Sequence, residues 1–212
     1  IDPFEITFEW QNKITIDAGL NNPLSAHWYA VDFDNNIYVV AEHYEAKRDI
    51  VYHANKIKSI CEKLNWHYGL NGKIEALIDS AANQKTLASD KSVTELFYEN
   101  GICVNPKVNK DLFTGINRVK SYFKNANGES KIFIFKTCEN LIREIKGYSW
   151  GSGDVPTKKD DHALDELRYY IMSRPENKNI LKIKSEIQKD KEKLFKKIKN
   201  NRKNQKIINF LN

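Results

Sequence analysis

Lys13-Ile14-Thr15-Ile16-Asp17-Ala18-Gly19-Leu20 decides the fold. Residues 13–20 read as a buried strand that ends at Asp17-Ala18-Gly19, an acid followed by turn-forming residues. The same ending recurs in Lys73-Ile74-Glu75-Ala76-Leu77-Ile78-Asp79-Ser80, a further strand that also finishes in Ile-Asp. If the two strands lie side by side and parallel, their C-terminal ends share one edge of a sheet, about 4.8 Å apart. Two carboxylates placed that way repel unless a cation sits between them.

The segments between and beyond these strands say whether that pairing is available. Residues 25–33 and 37–45 are two strands rich in Val, Tyr, Phe and Trp, and Asp34-Asn35-Asn36 between them suits a tight hairpin. A helix follows from Asp49 to Leu64, with Ile50, Ala54, Ile57, Ile60, Cys61 and Leu64 at helical spacing. Ser92 caps a helix that runs to Asn100 and stops at Gly101. Ile102-Cys103-Val104 is a short strand closed by Pro106, residues 111–123 a helix, residues 131–136 another strand, and 138–148 a helix. After the loop Gly151-Ser152-Gly153-Asp154-Val155-Pro156, residues 161–173 are strongly helical. This order predicts an α/β fold: a mixed sheet made of an antiparallel three-strand meander plus parallel strands, flanked by helices. A right-handed crossover then sets the Asp79 strand parallel to the Asp17 strand.

A third acidic element is Lys158-Lys159-Asp160-Asp161-His162-Ala163-Leu164-Asp165. Asp161 and Asp165 are four apart and share a helix face, and His162 lies three before Asp165. Brought beneath the two strand ends, these groups complete an oxygen-rich cluster of the kind a hard divalent ion takes. Two such ions could clamp the attacking and leaving oxygens of a phosphodiester, with no side-chain nucleophile required. Each residue also has a plainer use. Asp17 and Asp79 could start turns, and Asp160 or Asp161 could cap the last helix.

Bulk properties narrow the classes. Residues 174–212 hold 13 basic and 4 acidic side chains, a net of +9 within a total of +6, so residues 1–173 carry a net of −3. The basic tail suits an anionic partner, and its 180–200 stretch has an amphipathic helical pattern that either docks or frays. Cys61, Cys103 and Cys138 are odd in number and widely spaced, which fits reduced thiols rather than a zinc site or disulfides. No run approaches the roughly 20 apolar residues of a membrane helix, and the opening Ile1-Asp2-Pro3-Phe4-Glu5 has no secretory character. The chain does not begin with Met and reads as a piece of a longer protein. Trp28, Trp66 and Trp150 are expected in the core or an interface.

With these blocks in view, the chain resembles the C-terminal nuclease domain of the tailed-phage terminase large subunit. The resemblance rests on Ile16-Asp17-Ala18-Gly19 with Asn22-Pro23 and the hairpin reaching Ala41-Glu42-His43-Tyr44, then Ile78-Asp79-Ser80-Ala81. It continues through Asn105-Pro106-Lys107, Lys110-Asp111 and Gly115-Ile116-Asn117-Arg118-Val119. It ends on Asp161-His162-Ala163-Leu164-Asp165-Glu166-Leu167-Arg168-Tyr169, similar to an Asp-His-x-x-Asp-Ala-x-Arg-Tyr pattern with Glu166 where Ala is usual. The resemblance covers residues 13–173 and implies an RNase H-like domain over 1–173, followed by the basic tail 174–212.

What it implies about function is divalent-metal-dependent cleavage of concatemeric viral DNA during packaging. Asp17, Asp79 and Asp161 would be the catalytic metal-binding acids, with Asp160, His162 and Asp165 as further candidates for the third ligand, and Mg²⁺ or Mn²⁺ the ions, two in the active complex. The implied partners are double-stranded DNA and, in the full motor, the portal and small terminase subunit, in the host cytoplasm and away from membranes. The domain alone is expected to be monomeric. The chain has no G-x-x-x-x-G-K-[S/T] motif, so it should cut DNA without translocating it. Lys85, Lys107, Lys110, Lys158 and Lys159 fall beside the acids and are candidates for phosphate contacts without base preference. The competing readings are another RNase H-like nuclease, of the Holliday-junction resolvase or integrase type, and a non-catalytic DNA-binding or assembly module.

Overall fold

The structure is a computed structural model and describes residues 1–19, 22–84, 90–151, 155–157 and 159–175. The expected helix over 180–200, with most of the basic tail, and the lysines Lys85 and Lys158 lie outside the described residues.

Strands β1 (Gln11–Asp17), β2 (Leu24–Val31) and β3 (Ile37–Glu45) form the antiparallel meander. The turn between β2 and β3 places Asn35 at φ 60°, and the Asp32 carboxylate accepts the backbone N–H groups of Asp34 and Asn36. Asn tolerates that left-handed geometry better than most residues. Helix α1 (Ile50–Lys63) begins at Asp49, whose side chain accepts the Tyr52 N–H at 2.7 Å. Strand β4 (Ile74–Ile78) follows, then a 3₁₀ turn over Ser80–Asn83. Helix α2 (Val93–Glu99) opens with the Ser92–Glu95 capping box and leads to β5 (Ile102–Asn105). Helix α3 (Leu112–Phe123), strand β6 (Ile132–Ile134), helix α4 (Glu139–Gly147) and helix α5 (His162–Ser173) complete the order.

The sheet runs β5-β4-β1-β2-β3-β6. Strand β4 is parallel to β1 with Ile16 opposite Ile78, and β6 is parallel to β3. The predicted mixed sheet is therefore present. Strand β1 ends at Asp17, where the sequence places its turn, while two expected strands are shorter than their sequence patterns suggest: β4 stops at Ile78 and β6 spans three residues.

Alternation along the strands sorts side chains between two helix layers. On one face Trp28 donates its indole N–H to Cys61 of α1 at 3.3 Å, and His43 meets His53 of α1. On the other face Tyr29 stacks on Tyr170 of α5, with ring centroids 3.7 Å apart. A bulge between Trp28 and Tyr29 leaves Val40 unpaired opposite them. The extra residue shifts the parity of β3, so Val39 and Glu42 share the α5 face. The core is drawn from both faces, with Ile14, Ile16, Trp28, Ile57, Ile78, Phe97, Leu141 and Leu167 fully buried. Each such side chain contributes about 1.5–3 kcal/mol on burial. Trp28 and Trp66 are buried as expected, but Trp150 is 53% exposed, with the Lys120 ammonium over its ring. Trp150 sits in an isolated bridge to Pro156 rather than in a strand, so no sheet face covers it. Cys61 and Cys138 are buried, Cys103 is half-buried, and all three are free thiols.

Candidate active site

Asp17 is the last residue of β1, and Asp79 follows β4 directly. Because Ile16 pairs with Ile78 in parallel register, the two aspartates stand side by side on one sheet edge and on the α5 face. The backbone is built for the turn beyond Asp17: a Cβ on Gly19 would lie 2.6 Å from the Asn22 carbonyl oxygen, so only glycine fits there.

The two acids have different surroundings. Asp17 is mostly buried, and its Oδ2 accepts the His162 Nδ1–H at 3.2 Å. Burial raises its pKa; His162 pulls it down in part, and the charges of Asp165 and Asp79 push it up again. His162 in turn is raised by its bond to Asp17. Asp79 is more open. Its Oδ1 accepts the Ala81 N–H at 2.9 Å, and Tyr169 of α5 donates to its Oδ2 at 3.3 Å. The Lys110 ammonium bridges both oxygens, at 2.6 and 2.8 Å. Burial pushes Asp79 up, but the bond from Lys110, then the Ala81 N–H and the Lys110 charge outweigh it, and the net shift is downward.

Helix α5 delivers the remaining candidates. Asp161 occupies its N-cap position but makes no side-chain cap bond, so the plain capping role does not account for it. Asp160 is exposed and adopts φ +50°, outside the helix. Asp165 is half-buried and paired with Arg168 Nη2 at 2.8 Å, while Arg168 Nη1 donates to the Lys110 carbonyl at 2.9 Å. Arg168 thus ties α5 to the segment that carries Lys110. Of the other expected phosphate contacts, Lys107 and Lys159 are exposed, and Lys110 is engaged with Asp79.

A second layer lies beneath these acids, and sequence reasoning did not anticipate it. His27 of β2 is held between two buried carboxylates, Glu166 of α5 at 2.7 Å and Glu42 of β3 at 3.1 Å. Burial pushes the His27 pKa down, yet the charges and bonds of Glu166 and Glu42 outweigh it and the net shift is upward, with a carboxylate in hydrogen-bond reach of each ring nitrogen. Glu166 also accepts from the Tyr29 hydroxyl at 2.8 Å. Glu42 accepts the Asn140 and Leu141 N–H groups at the start of α4, and Glu144 of α4 accepts those of Ala163 and Leu164 at the start of α5. The sequence held one signal for Glu144: it falls on the stripe of Leu141 and Ile145, where an acid is out of place.

Among the described residues, no three His, Cys, Asp or Glu side chains converge closely enough to hold a metal ion as they stand. The donor chemistry nevertheless fits a hard cation. Asp17 is a buried carboxylate destabilised by two neighbouring acids, and Asp79 already holds a cation in the form of the Lys110 ammonium. Three buried oxygens on the same face, Thr15 Oγ1, Ser25 Oγ and Glu166 Oε1, have no hydrogen-bond partner among the described residues and add to its oxygen-rich character. A mostly apolar groove of about 160 Å³ between α3, α4 and α5 touches only Asp165 of the candidate acids, and is not where this chemistry lies.

A mixed sheet of this order, with acids at the ends of two adjacent parallel strands and a helix laid across them, is the RNase H-like arrangement. A family model described as "Terminase RNaseH-like domain" matches residues 14–174, and the chain belongs to that family. No curated protein matches the chain. Among solved structures, the nuclease domain of the P22 large terminase superposes with a TM-score of 0.65 at 19% identity, covering 81% of this chain and 85% of that one. The large terminase from a thermophilic bacteriophage, in complex with ATP-γ-S, superposes with a TM-score of 0.62 at 21% identity. That match covers 81% of this chain but only 41% of the phage protein.

Proposed function

We propose that this chain is a divalent-metal-dependent DNA endonuclease that cuts concatemeric viral DNA during genome packaging. The observation that carries the reading is the placement of Asp17 and Asp79 at adjacent parallel strand ends under α5, in a chain of the terminase RNase H-like family. Asp17 and Asp79 would hold the ions, with Asp161 as third ligand and Asp160, His162 or Asp165 as its competitors. Bound Mg²⁺ or Mn²⁺, two ions in the working complex, would supply the acidity that activates water and offsets charge on the leaving 3′ oxygen.

The chain's own groups set up that step. His162 donates to one oxygen of Asp17 and orients the carboxylate. Tyr169 and the Ala81 N–H do the same for Asp79. Lys110 neutralises Asp79, and on metal loading its ammonium becomes available to a DNA phosphate. Lys107 and Lys159, with Lys85 and Lys158, would contact phosphates without reading bases. Residues 1–173 act as the nuclease unit, and the basic tail from 174 meets DNA or a packaging subunit. In the complete motor the partners are the portal and the small terminase subunit, in the host cytoplasm.

The test is incubation of the purified chain and Mn²⁺ with linear duplex, four-way junction and transposon-end DNA. Cleavage of plain duplex without junction preference or strand transfer is the expected result. Junction preference would make the chain a resolvase, strand transfer an integrase, and binding without cleavage a silent module.

A further inference from the structure

Helix α5 carries the candidates His162 and Asp165 and has Asp161 at its N-cap, so whatever fixes its first turn fixes that side of the site. The first backbone N–H groups of a helix need partners, usually from the helix's own N-cap side chain. In α5 that residue is Asp161, and its side chain makes no cap bond. The acceptor comes from another helix instead. Glu144 Oε2 accepts the Ala163 N–H at 2.8 Å and the Leu164 N–H at 3.1 Å. Its Oε1 accepts the Tyr44 hydroxyl of β3 at 2.7 Å. The Glu144 side chain is fully buried, and its third partner comes from the same sheet face that presents Asp17. One residue before Ala163, His162 donates to Asp17.

We propose that Glu144 is a positioning residue for the metal centre: it clamps the N-terminal turn of α5 to the sheet, so that His162 meets Asp17 with Asp161 next to it in the chain, and it takes the N–H groups that an N-cap side chain would otherwise accept. A carboxylate at a helix N-terminus is favoured by the helix dipole as well as by the bonds it accepts. The anchor is itself anchored. Glu42 caps α4 in the same way, and His27 ties Glu42 to Glu166 of α5. Helix α5 is therefore held at its first turn through Glu144 and one turn later through Glu166. The metal part of this proposal rests on the nuclease reading; the clamp does not.

The experiment compares the wild type with Glu144→Gln, Tyr44→Phe and, as an exposed control on α4, Glu139→Gln. Gln keeps an oxygen for the two N–H groups but removes the charge, and Tyr44→Phe removes only the hydroxyl that steadies the carboxylate, so both variants should fold. Hydrogen exchange is followed over residues 160–166, and Mn²⁺ binding is followed by calorimetry. Both variants are expected to speed exchange in that segment by about tenfold and to raise the Mn²⁺ Kd about threefold or more, the scale of a partly buried charge–helix interaction. Glu139→Gln should change neither. Unchanged exchange overturns the clamp. Faster exchange with wild-type Mn²⁺ affinity makes Glu144 a purely structural cap and overturns the positioning role. Should the wild type take up no Mn²⁺ that Asp17→Ala abolishes, the nuclease reading fails, and the exchange result alone then decides the clamp.

Discussion

Replacing Lys110 with Met removes the ammonium that lies 2.6 and 2.8 Å from the two Asp79 oxygens while keeping most of the side-chain length. If Asp79 holds a metal ion, Lys110 competes with it, and the variant binds metal more tightly. The size of the effect follows from exposure. The lysine side chain is 43% exposed and the aspartate 16%, so the pair stands between a surface ion pair and a buried one. Such a pair contributes about 0.5–1 kcal/mol after solvent screening. At about 1.4 kcal/mol per tenfold, the Mn²⁺ Kd should fall by about two- to fivefold. Calorimetric titration of the DNA-free chain measures this directly. The gap between wild type and variant should narrow as ionic strength rises, because salt screens the partly exposed pair. Lys110→Arg, which keeps the charge, should show no gain. A Lys110→Met variant that binds Mn²⁺ as the wild type does, or more weakly, would refute the idea that the ammonium and the metal share Asp79.

Three further outcomes are expected. His43 is buried beside His53, and burial with the neighbouring ring pushes its pKa down to about 4, so the unfolded chain takes up a proton near pH 6.5 that the folded chain refuses. The stability contributed by the neutral ring is complete above pH 6.5 and is lost as pH falls toward 4; between pH 7 and 5 it amounts to at most about 2 kcal/mol. Urea unfolding at both values should show that loss in the wild type and a smaller one in His43→Gln. Gly115→Ala places a Cβ 2.6 Å from the Cγ and Cδ of Arg168, which is held at its far end by Asp165 and the Lys110 carbonyl. Overpacking of this kind costs about 1–3 kcal/mol, visible as a lower urea midpoint. Burial pushes the Cys61 thiol up to about 11 and the Cys138 thiol up to about 12, so a thiol reagent on the native chain should modify Cys103 alone at an appreciable rate.

The sheet was legible because its signals are local. Alternation in 25–33 and 37–45, the turn residues at 34–36, and the shared Ile-Asp ending of two strands each depend on neighbours in sequence. Those same features are enough to bring Asp17 and Asp79 together from the sequence alone. The overreaches were also local: the runs ending at Ser80 and Lys136 extend beyond the residues that find a partner strand. What could not be read was everything set by helix placement across the sheet. Glu166 stands out in the sequence only as a departure from a pattern, yet it is fully buried against His27 and Tyr29. Its ion pair spans 139 residues and depends on how α5 lies on β2. Asp161 reads equally well as a cap or a ligand, and the acceptor that in fact takes the first N–H groups of α5 is Glu144, an acid on a different helix. The bond from Lys110 to Asp79 was equally hidden, because it arises only where β4 and the start of α3 meet at the same sheet edge.

The central claim is that Asp17, Asp79 and Asp161 support metal-dependent cutting, and plasmid digestion tests it most directly. The wild-type chain is incubated with Mn²⁺, Mg²⁺, Ca²⁺ or EDTA, beside Asp17→Ala, Asp79→Ala and Asp161→Ala variants shown to be folded. The account predicts nicked and linear products with Mn²⁺ or Mg²⁺, none with EDTA, and loss of cutting in each variant. A folded wild type that leaves the plasmid intact with every metal, or alanine variants that cut as well as it does, would contradict it.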